Sequence, residues 1–221
     1  MEWTEHVRRA EERYRDGEAR LPEALDADSR QRQLTRMGNA AYGAGLALLM
    51  EGDGKGAREW LARAVERYRE SFADAPPGSW GRTIAAMKAR VLAHDWGCAE
   101  DAARWTLGEG PAQAESPIGK YAACLALLIL GRDRDARALA DDLRTHDGFP
   151  TDVADALAML AAQDVIGYIE AVESVLESFE NRPEYLEDVP VADTVLVLQE
   201  LARRREVAAE LESALLPRAQ S

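Results

Sequence analysis

An apolar segment occurs twice in this sequence, and the repetition limits the folds that the chain can adopt. Residues 42–53 and 121–132 align without a gap, so that tyrosine, leucine and glycine recur at equivalent places. The alignment continues to an alanine, which is Ala57 in the first copy and Ala136 in the second. An apolar helix that ends at glycine and is followed by a second helix is typical of helical-hairpin repeat proteins. The repeat therefore predicts antiparallel helical hairpins.

The composition of the chain also favours helix over sheet. Alanine, leucine, glutamate and arginine dominate, whereas β-branched and aromatic residues are sparse. Such a mixture has high helix propensity and lacks the residues that strands prefer. A chain of 221 residues is long enough to bury a continuous core. We therefore predict one all-α domain over residues 1–221.

Proline and glycine clusters divide the chain into segments. These are an N-terminal helix and connector (1–30), four helical hairpins (31–75, 79–110, 116–146 and 150–182) and C-terminal helices (189–217). The turns within the hairpins are expected at Gly52, His94, Gly131 and Gln163. Their unequal separation indicates an irregular array of hairpins, and stacking of such hairpins predicts a right-handed superhelix like that of tetratricopeptide repeats.

Small residues stand where two helices of such a hairpin approach each other. Gly45, Ala57, Leu61 and Ala64 have the spacing of the small and apolar positions of a tetratricopeptide hairpin. Small side chains at these positions allow close packing of the helices. Cys124 takes the place of Gly45 in the second copy, so we expect it to be buried in the core rather than reactive.

The formal net charge is −13, which restricts the partners that the surface can attract. A strongly acidic surface repels nucleic acid and anionic membranes and favours basic partners. A solvated exterior without a binding role is the simpler interpretation of the charge. No apolar run reaches the roughly 18 residues of a membrane span, the first residues do not resemble a secretory signal, and two cysteines are typical of the cytoplasm. We expect a cytoplasmic protein with a protein partner.

The sequence contains no pattern typical of catalysis, metal binding or cofactor binding. The three histidines, His6, His94 and His146, are far apart, whereas a structural zinc site needs clustered pairs of ligands. No glycine-rich phosphate-binding motif is present. An all-α enzyme would need a polar cluster in an apolar pocket, and none is recognisable. We therefore expect no catalytic residues, no metal, no cofactor and no enzymatic activity.

Two loops contain candidate partner-binding residues. Tyr185, Glu187 and Asp188 lie in a loop between two apolar segments, and loops on rigid scaffolds often carry function. Nearby Asp193 is predicted in the first turn of the last helix, where stabilisation of the helix N-terminus is the alternative role.

The second candidate loop, residues 78–82, lies at the start of the predicted hairpin 79–110 and contains Trp80 and Arg82. Tryptophan and arginine are frequent anchors of protein interfaces. For Trp80, however, packing between hairpins is the favoured interpretation.

The acidic loop is part of a segment, 185–199, that resembles the C-terminal signature of an all-α bacterial immunity family, the immunity-forty-nine family of polymorphic toxin systems. Segments 115–121, 125–131 and 149–155 are also similar to this family, and the similarity extends over about residues 78–201. The resemblance implies a non-enzymatic protein that binds and neutralises a cognate toxin. It transfers no catalytic residues to this chain.

Two functions remain open at this point. One is an immunity protein with a single, tightly bound partner, possibly a basic toxin whose cleft would be complementary to the acidic surface. The other is a tetratricopeptide-like scaffold or adaptor that binds peptides or proteins in a concave groove. The identity of the partner and the oligomeric state are not determined by the sequence.

Overall fold

The computed structural model describes residues 3–218 and shows an all-helical protein. The described residues form ten α-helices and no β-strand. The helices are α1 (Trp3–Arg20), α2 (Ala27–Glu51), α3 (Gly54–Ala73), α4 (Gly81–Leu92), α5 (Trp96–Gly108), α6 (Pro117–Ile129), α7 (Asp133–Leu143), α8 (Thr151–Ala162), α9 (Val165–Glu180) and α10 (Asp193–Arg203). None of these helices combines the length and the apolar character needed to span a membrane. The prediction of an all-α fold is confirmed.

The helices belong to two compact units. Unit 1 contains residues 3–94, 183–191 and 212–218, and unit 2 contains residues 95–182 and 192–211. In unit 1, α1 packs against α2, α2 against α3, and α3 against α4. In unit 2, consecutive helices from α5 to α9 pack against each other in the same way, and α10 contacts α8 and α9. The chain therefore returns to unit 1 twice after α9.

All four predicted turns contain a residue in the left-handed backbone conformation. The φ angles are 86° at Gly52, 54° at His94, 68° at Gly131 and 54° at Gln163. A left-handed residue ends an α-helix because it redirects the chain while its amide still bonds to the last carbonyls. An aspartate that caps the next helix follows three of the turns, at Asp53, Asp95 and Asp164. The predicted positions of these four turns are confirmed.

The two copies of the repeat make the same backbone hydrogen bonds where their first helix ends. The bonds are Gly52 N to Leu49 O (3.1 Å) and Asp53 N to Leu48 O (3.0 Å) in the first copy, and Gly131 N to Leu128 O (3.2 Å) and Arg132 N to Leu127 O (2.9 Å) in the second. Each pair of bonds satisfies carbonyl groups that the helix itself leaves open. The sequence repeat is therefore also a structural repeat.

Within each copy the two helices approach closely at the small residue. A Cβ atom on Gly45 would lie 2.7 Å from Leu61 Cγ and 3.4 Å from Ala57 O. In the second copy the Cys124 thiol bonds to Ala136 O at 3.4 Å. Burial raises the pKa of Cys124 to about 12, which keeps the thiol protonated and unreactive. The predicted packing role of Cys124 is confirmed.

The C-terminal region differs from the predicted helices over 189–217. It contains one helix, α10, and residues 204–218 form turns and irregular structure. The side chain of Gln199 accounts for part of this difference, because it donates to Ala209 O (2.6 Å) and accepts from Ala209 N (3.2 Å). A side-chain amide thus replaces the bonds that a helix would supply to Ala209.

We expect Gly45→Ala to lower the free energy of unfolding by about 1–3 kcal/mol, because the added methyl group overlaps Leu61 in a packed interior. Gly97→Ala is the matched control, since no atom lies within 4 Å of its added Cβ. It should leave stability unchanged or raise it by about 0.4–1 kcal/mol. Urea denaturation of both variants measures the difference. Equal stability of the two would contradict the close approach of α2 and α3.

Candidate functional site

The loop after α9 contains a strained acidic turn, formed by Tyr185, Leu186, Glu187 and Asp188, which belongs to unit 1. Glu187 and Asp188 have φ angles of 57° and 58°. Residues other than glycine rarely adopt this backbone conformation, and each such residue costs on the order of 1–3 kcal/mol of folding free energy. Strain of this kind persists only where the surroundings hold it, and it is most frequent at binding and catalytic sites.

Arg13 of α1 holds the acidic turn in place. Its Nη1 donates to the carbonyl oxygen and to the carboxylate of Glu187, both at 3.0 Å, and its Nη2 donates to Asp188 at 2.9 Å. The pKa of Arg13 is raised, and the hydrogen bond to Asp188 is the largest cause. The side chain of Glu187 is 19% exposed and that of Asp188 79%. Glu187 therefore faces the protein, and Asp188 faces outward.

The turn also lies directly against α2. A Cβ atom on Gly43 would be 3.2 Å from Glu187 Cβ and 3.4 Å from Val189 Cγ2. Val189 and Val191 are buried and anchor the chain just after the turn. The absence of a side chain at Gly43 thus allows a close approach that a larger residue would hinder.

A mixed-charge cleft of about 240 Å³ borders the turn. Its lining residues are Arg13, Asp16, Gly17, Arg20, Gln33, Arg36 and Glu187. Neither Arg20 nor Arg36 forms an ion pair with any residue in the range 3–218. The region around the turn is therefore not uniformly acidic. Its outward-facing features are the carboxylate of Asp188 and the side chain of Leu186, which is 50% exposed.

The other candidate residues have different environments. Tyr185 is half-buried. Trp80 is buried, with its ring centroid 6.4 Å from that of Phe72, and it packs inside unit 1 rather than facing a partner. Asp193 is the first residue of α10 and accepts from Thr194 Oγ1 at 3.4 Å. It belongs to unit 2, whereas the acidic turn belongs to unit 1.

Arg82 points into unit 1 and connects three helices. Its Nε donates to Thr35 Oγ1 (3.1 Å) and to Ser71 Oγ (2.9 Å), and its Nη2 donates to Gln31 Oε1. Desolvation lowers the pKa of Arg82, because the hydroxyl and amide groups that it binds are neutral and do not offset the loss of water. Arg82 thus links α2, α3 and α4.

The sequence analysis did not identify three features of the site. Arg13 is 174 residues away from Glu187 along the chain, and no local pattern connects two such residues. The role of Gly43 depends on which segment packs against α2 at this position, and the helical periodicity does not reveal that segment. Leu186, an apolar residue inside an acidic loop, is the one feature that inspection of the sequence could have singled out.

No group of three or more histidine, cysteine, aspartate or glutamate side chains with the arrangement of a metal site occurs within the described part of the chain. Comparisons with protein-family models, with curated proteins and with solved structures gave no match. The function must therefore be argued from the geometry of the acidic turn and its surroundings.

We expect Arg82→Ala to lower the free energy of unfolding by about 1–3 kcal/mol, since it leaves the buried oxygen of Gln31 without its donor. Arg36→Ala, on the exposed side of α2, is the control and should change stability by less than about 0.5 kcal/mol. Denaturant unfolding measures both. A stable Arg82→Ala variant would show that this side chain is not a structural link.

We expect Arg13→Gln to increase the rate of amide hydrogen exchange at Asp188 and Val189 about fivefold. The reason is that two partly exposed ion pairs together stabilise the turn by about 1 kcal/mol. Arg15→Gln is the matched control on the same helix, since Arg15 pairs with Glu11 and with no other residue in the range 3–218. Exchange measured by NMR or mass spectrometry compares the two. The same protection of the turn in both variants would exclude Arg13 as its support.

Proposed function

We propose that the protein is a non-catalytic protein-binding module, and that it acts as an immunity protein that binds and neutralises a cognate toxin. The observation that carries this proposal is the conformation of the acidic turn. Two consecutive left-handed residues, Glu187 and Asp188, are held by Arg13 and seated against Gly43. A turn that is ordered before binding loses little conformational entropy when a partner docks.

The exposed part of the turn has the composition of a small recognition surface. Leu186 offers an apolar contact, and Asp188 offers a carboxylate that remains accessible beside its bond to Arg13. Apolar contacts contribute mainly to affinity, whereas charges contribute to specificity and to the rate of association. With a net charge of −13, such a surface suits a partner with a basic binding face, as in a toxin that acts on nucleic acid.

The resemblance of segment 185–199 to the immunity-forty-nine family supports the toxin as the partner. The acidic turn stands at the beginning of this segment, so that the segment of resemblance includes the strained turn. In this proposal the protein acts in the cytoplasm, and its two cysteines form no disulfide bond with each other. A complex with the toxin would block the toxin's active cleft or its substrate path without any reaction by this protein.

A tetratricopeptide-like scaffold is the second candidate function. It is favoured by the structural repeat, in which Gly45 and Cys124 occupy equivalent positions where two helices meet. Small residues at the crossing of two helices are typical of tetratricopeptide hairpins. In this proposal the hairpins stack as a right-handed superhelix, and a concave face binds peptides from several proteins.

Co-expression with the protein encoded beside its gene distinguishes the two functions. The immunity proposal predicts rescue of growth and a stoichiometric complex that is purified together. The affinity of this complex should fall as the salt concentration rises, because salt screens charges. A neighbouring protein that is not toxic and forms no complex would contradict the immunity proposal and favour the scaffold. Rescue with an affinity that is independent of salt would reject a basic partner.

A charge reversal in the acidic turn tests the surface itself. We expect Asp188→Lys to weaken the complex at least about tenfold, since it places a cation against a basic partner. Asp147→Lys makes the same change of net charge at an exposed position in unit 2 and should have little effect. Equal weakening by both would mean that overall charge, not the acidic turn, determines the affinity.

A further inference from the structure

A lysine of α6 holds the connector between α7 and α8, which consists of residues 144–150. Lys120 Nζ lies 2.6 Å from Asp142 Oδ2 in the last turn of α7 and 3.1 Å from Nε2 of His146 in the connector. The side chain of Lys120 is 18% exposed, so these two contacts are partly shielded from water. One cation thus contacts both the end of α7 and the connector.

The contacts of the two ring nitrogens determine the protonation state of His146. Nδ1 lies 2.9 Å from the backbone oxygen of Asp142, and because a carbonyl oxygen can only accept, Nδ1 carries the hydrogen. Nε2 faces the ammonium group of Lys120, and because this group can only donate, Nε2 offers its lone pair. His146 is therefore the neutral Nδ1–H tautomer in this structure.

The carboxylate of Asp142 keeps its charge in the pH range in which histidine titrates. The pKa of Asp142 is lowered, and the hydrogen bond from Lys120 is the largest cause. The ion pair between Lys120 and Asp142 is therefore present both at neutral and at mildly acidic pH. Asp142 also attracts a protonated ring, but its Oδ2 is already bound to Lys120. What changes with pH is the charge of the ring beside Lys120.

Other charged groups near the connector belong to α7, α8 and the connector itself. Arg144, at the start of the connector, lies 2.6 Å from the carboxylate of Asp155 on α8 and 3.5 Å from that of Asp141 on α7. Asp147 is exposed, and water and salt screen its charge. Lys120 is thus the cation that a protonated ring would meet at hydrogen-bond distance.

We propose that the hydrogen bond between Lys120 and His146 is a proton-dependent clasp between α6 and the connector. The clasp is closed while the ring is neutral. A protonated ring carries a hydrogen on both nitrogens, so Nε2 can no longer accept and two cations face each other. Lys120 then keeps its ion pair with Asp142 and releases the connector, at a pH between about 7 and 5. The clasp lies within unit 2 and does not depend on the proposed function.

The connector also contains an aromatic contact that the clasp protects. Phe149 is 7% exposed, and its ring centroid is 5.5 Å from that of Tyr121 on α6. Its amide donates to the backbone oxygen of His146 at 3.3 Å, so the position of Phe149 depends on that of His146. Opening of the clasp loosens this contact. Acidification therefore makes an apolar side chain of the connector more accessible.

NMR of the full chain tests the clasp. We expect the ¹⁵N shifts of the His146 ring to show the Nδ1–H tautomer at about pH 8. The exchange rate of the Phe149 amide, divided by the intrinsic rate at each pH, should rise about tenfold between about pH 7.5 and 5. This is the increase expected for loss of a charge-assisted hydrogen bond. Amides in the middle of α7 should show no such step, because the ion pair of this helix with α6 persists.

Variants remove the pH response from either side of the clasp. In His146→Gln, the side-chain oxygen can accept from Lys120 but does not titrate, so the step at Phe149 should disappear. Lys120→Met removes the cation, and the step should disappear here too. His6→Gln and Lys55→Met make the same chemical changes in unit 1 and should leave the step in place.

Three results would overturn the proposal. The first is an Nε2–H tautomer of His146 at about pH 8, and this measurement needs no variant. The second is an exchange rate at Phe149 without a pH step in the unchanged protein. The third is a step of the same size in His146→Gln, or its loss in His6→Gln, because the response would then come from another group.

Discussion

The close contact between two helices in each copy of the repeat is the constraint on which the other features depend. At Gly45 there is no room for a side chain, and at Cys124 a thiol bonds to the carbonyl of the facing alanine. Close packing of this kind fixes the distance between the helices. In each copy a left-handed glycine, Gly52 or Gly131, then turns the chain between the two helices.

The sequence predicts these features because they depend on local patterns. Apolar periodicity places the helices, and glycine or a residue before aspartate marks each turn, so that even the left-handed His94 and Gln163 lie at predicted positions. The burial of Cys124 follows from its alignment with Gly45. Each of these inferences needs only neighbouring residues or a comparison of the chain with itself.

The candidate site could be predicted only in part. The sequence identifies the acidic loop, but the support of Glu187 and Asp188 by Arg13 joins distant parts of the chain. Likewise, an arginine in the sequence does not reveal whether it faces a partner or, like Arg82, binds side chains of its own unit. Long-range pairing of polar groups depends on the packed structure, which has no periodic signal. The irregular region after α10 escaped prediction for the same reason, because Gln199 binds a backbone that lies ten residues away.

The return of the chain to unit 1 has a consequence for the order in which the protein is made. Unit 1 needs residues 183–191 and 212–218 in addition to α1–α4, and both segments leave the ribosome only after most of unit 2. The acidic turn comes from the first of these late segments. A nascent chain that ends after α9 would contain Arg13 and Gly43 but not yet the acidic turn that both residues contact. The protein therefore acquires its proposed binding surface late in synthesis, after the helices that carry this surface have been translated.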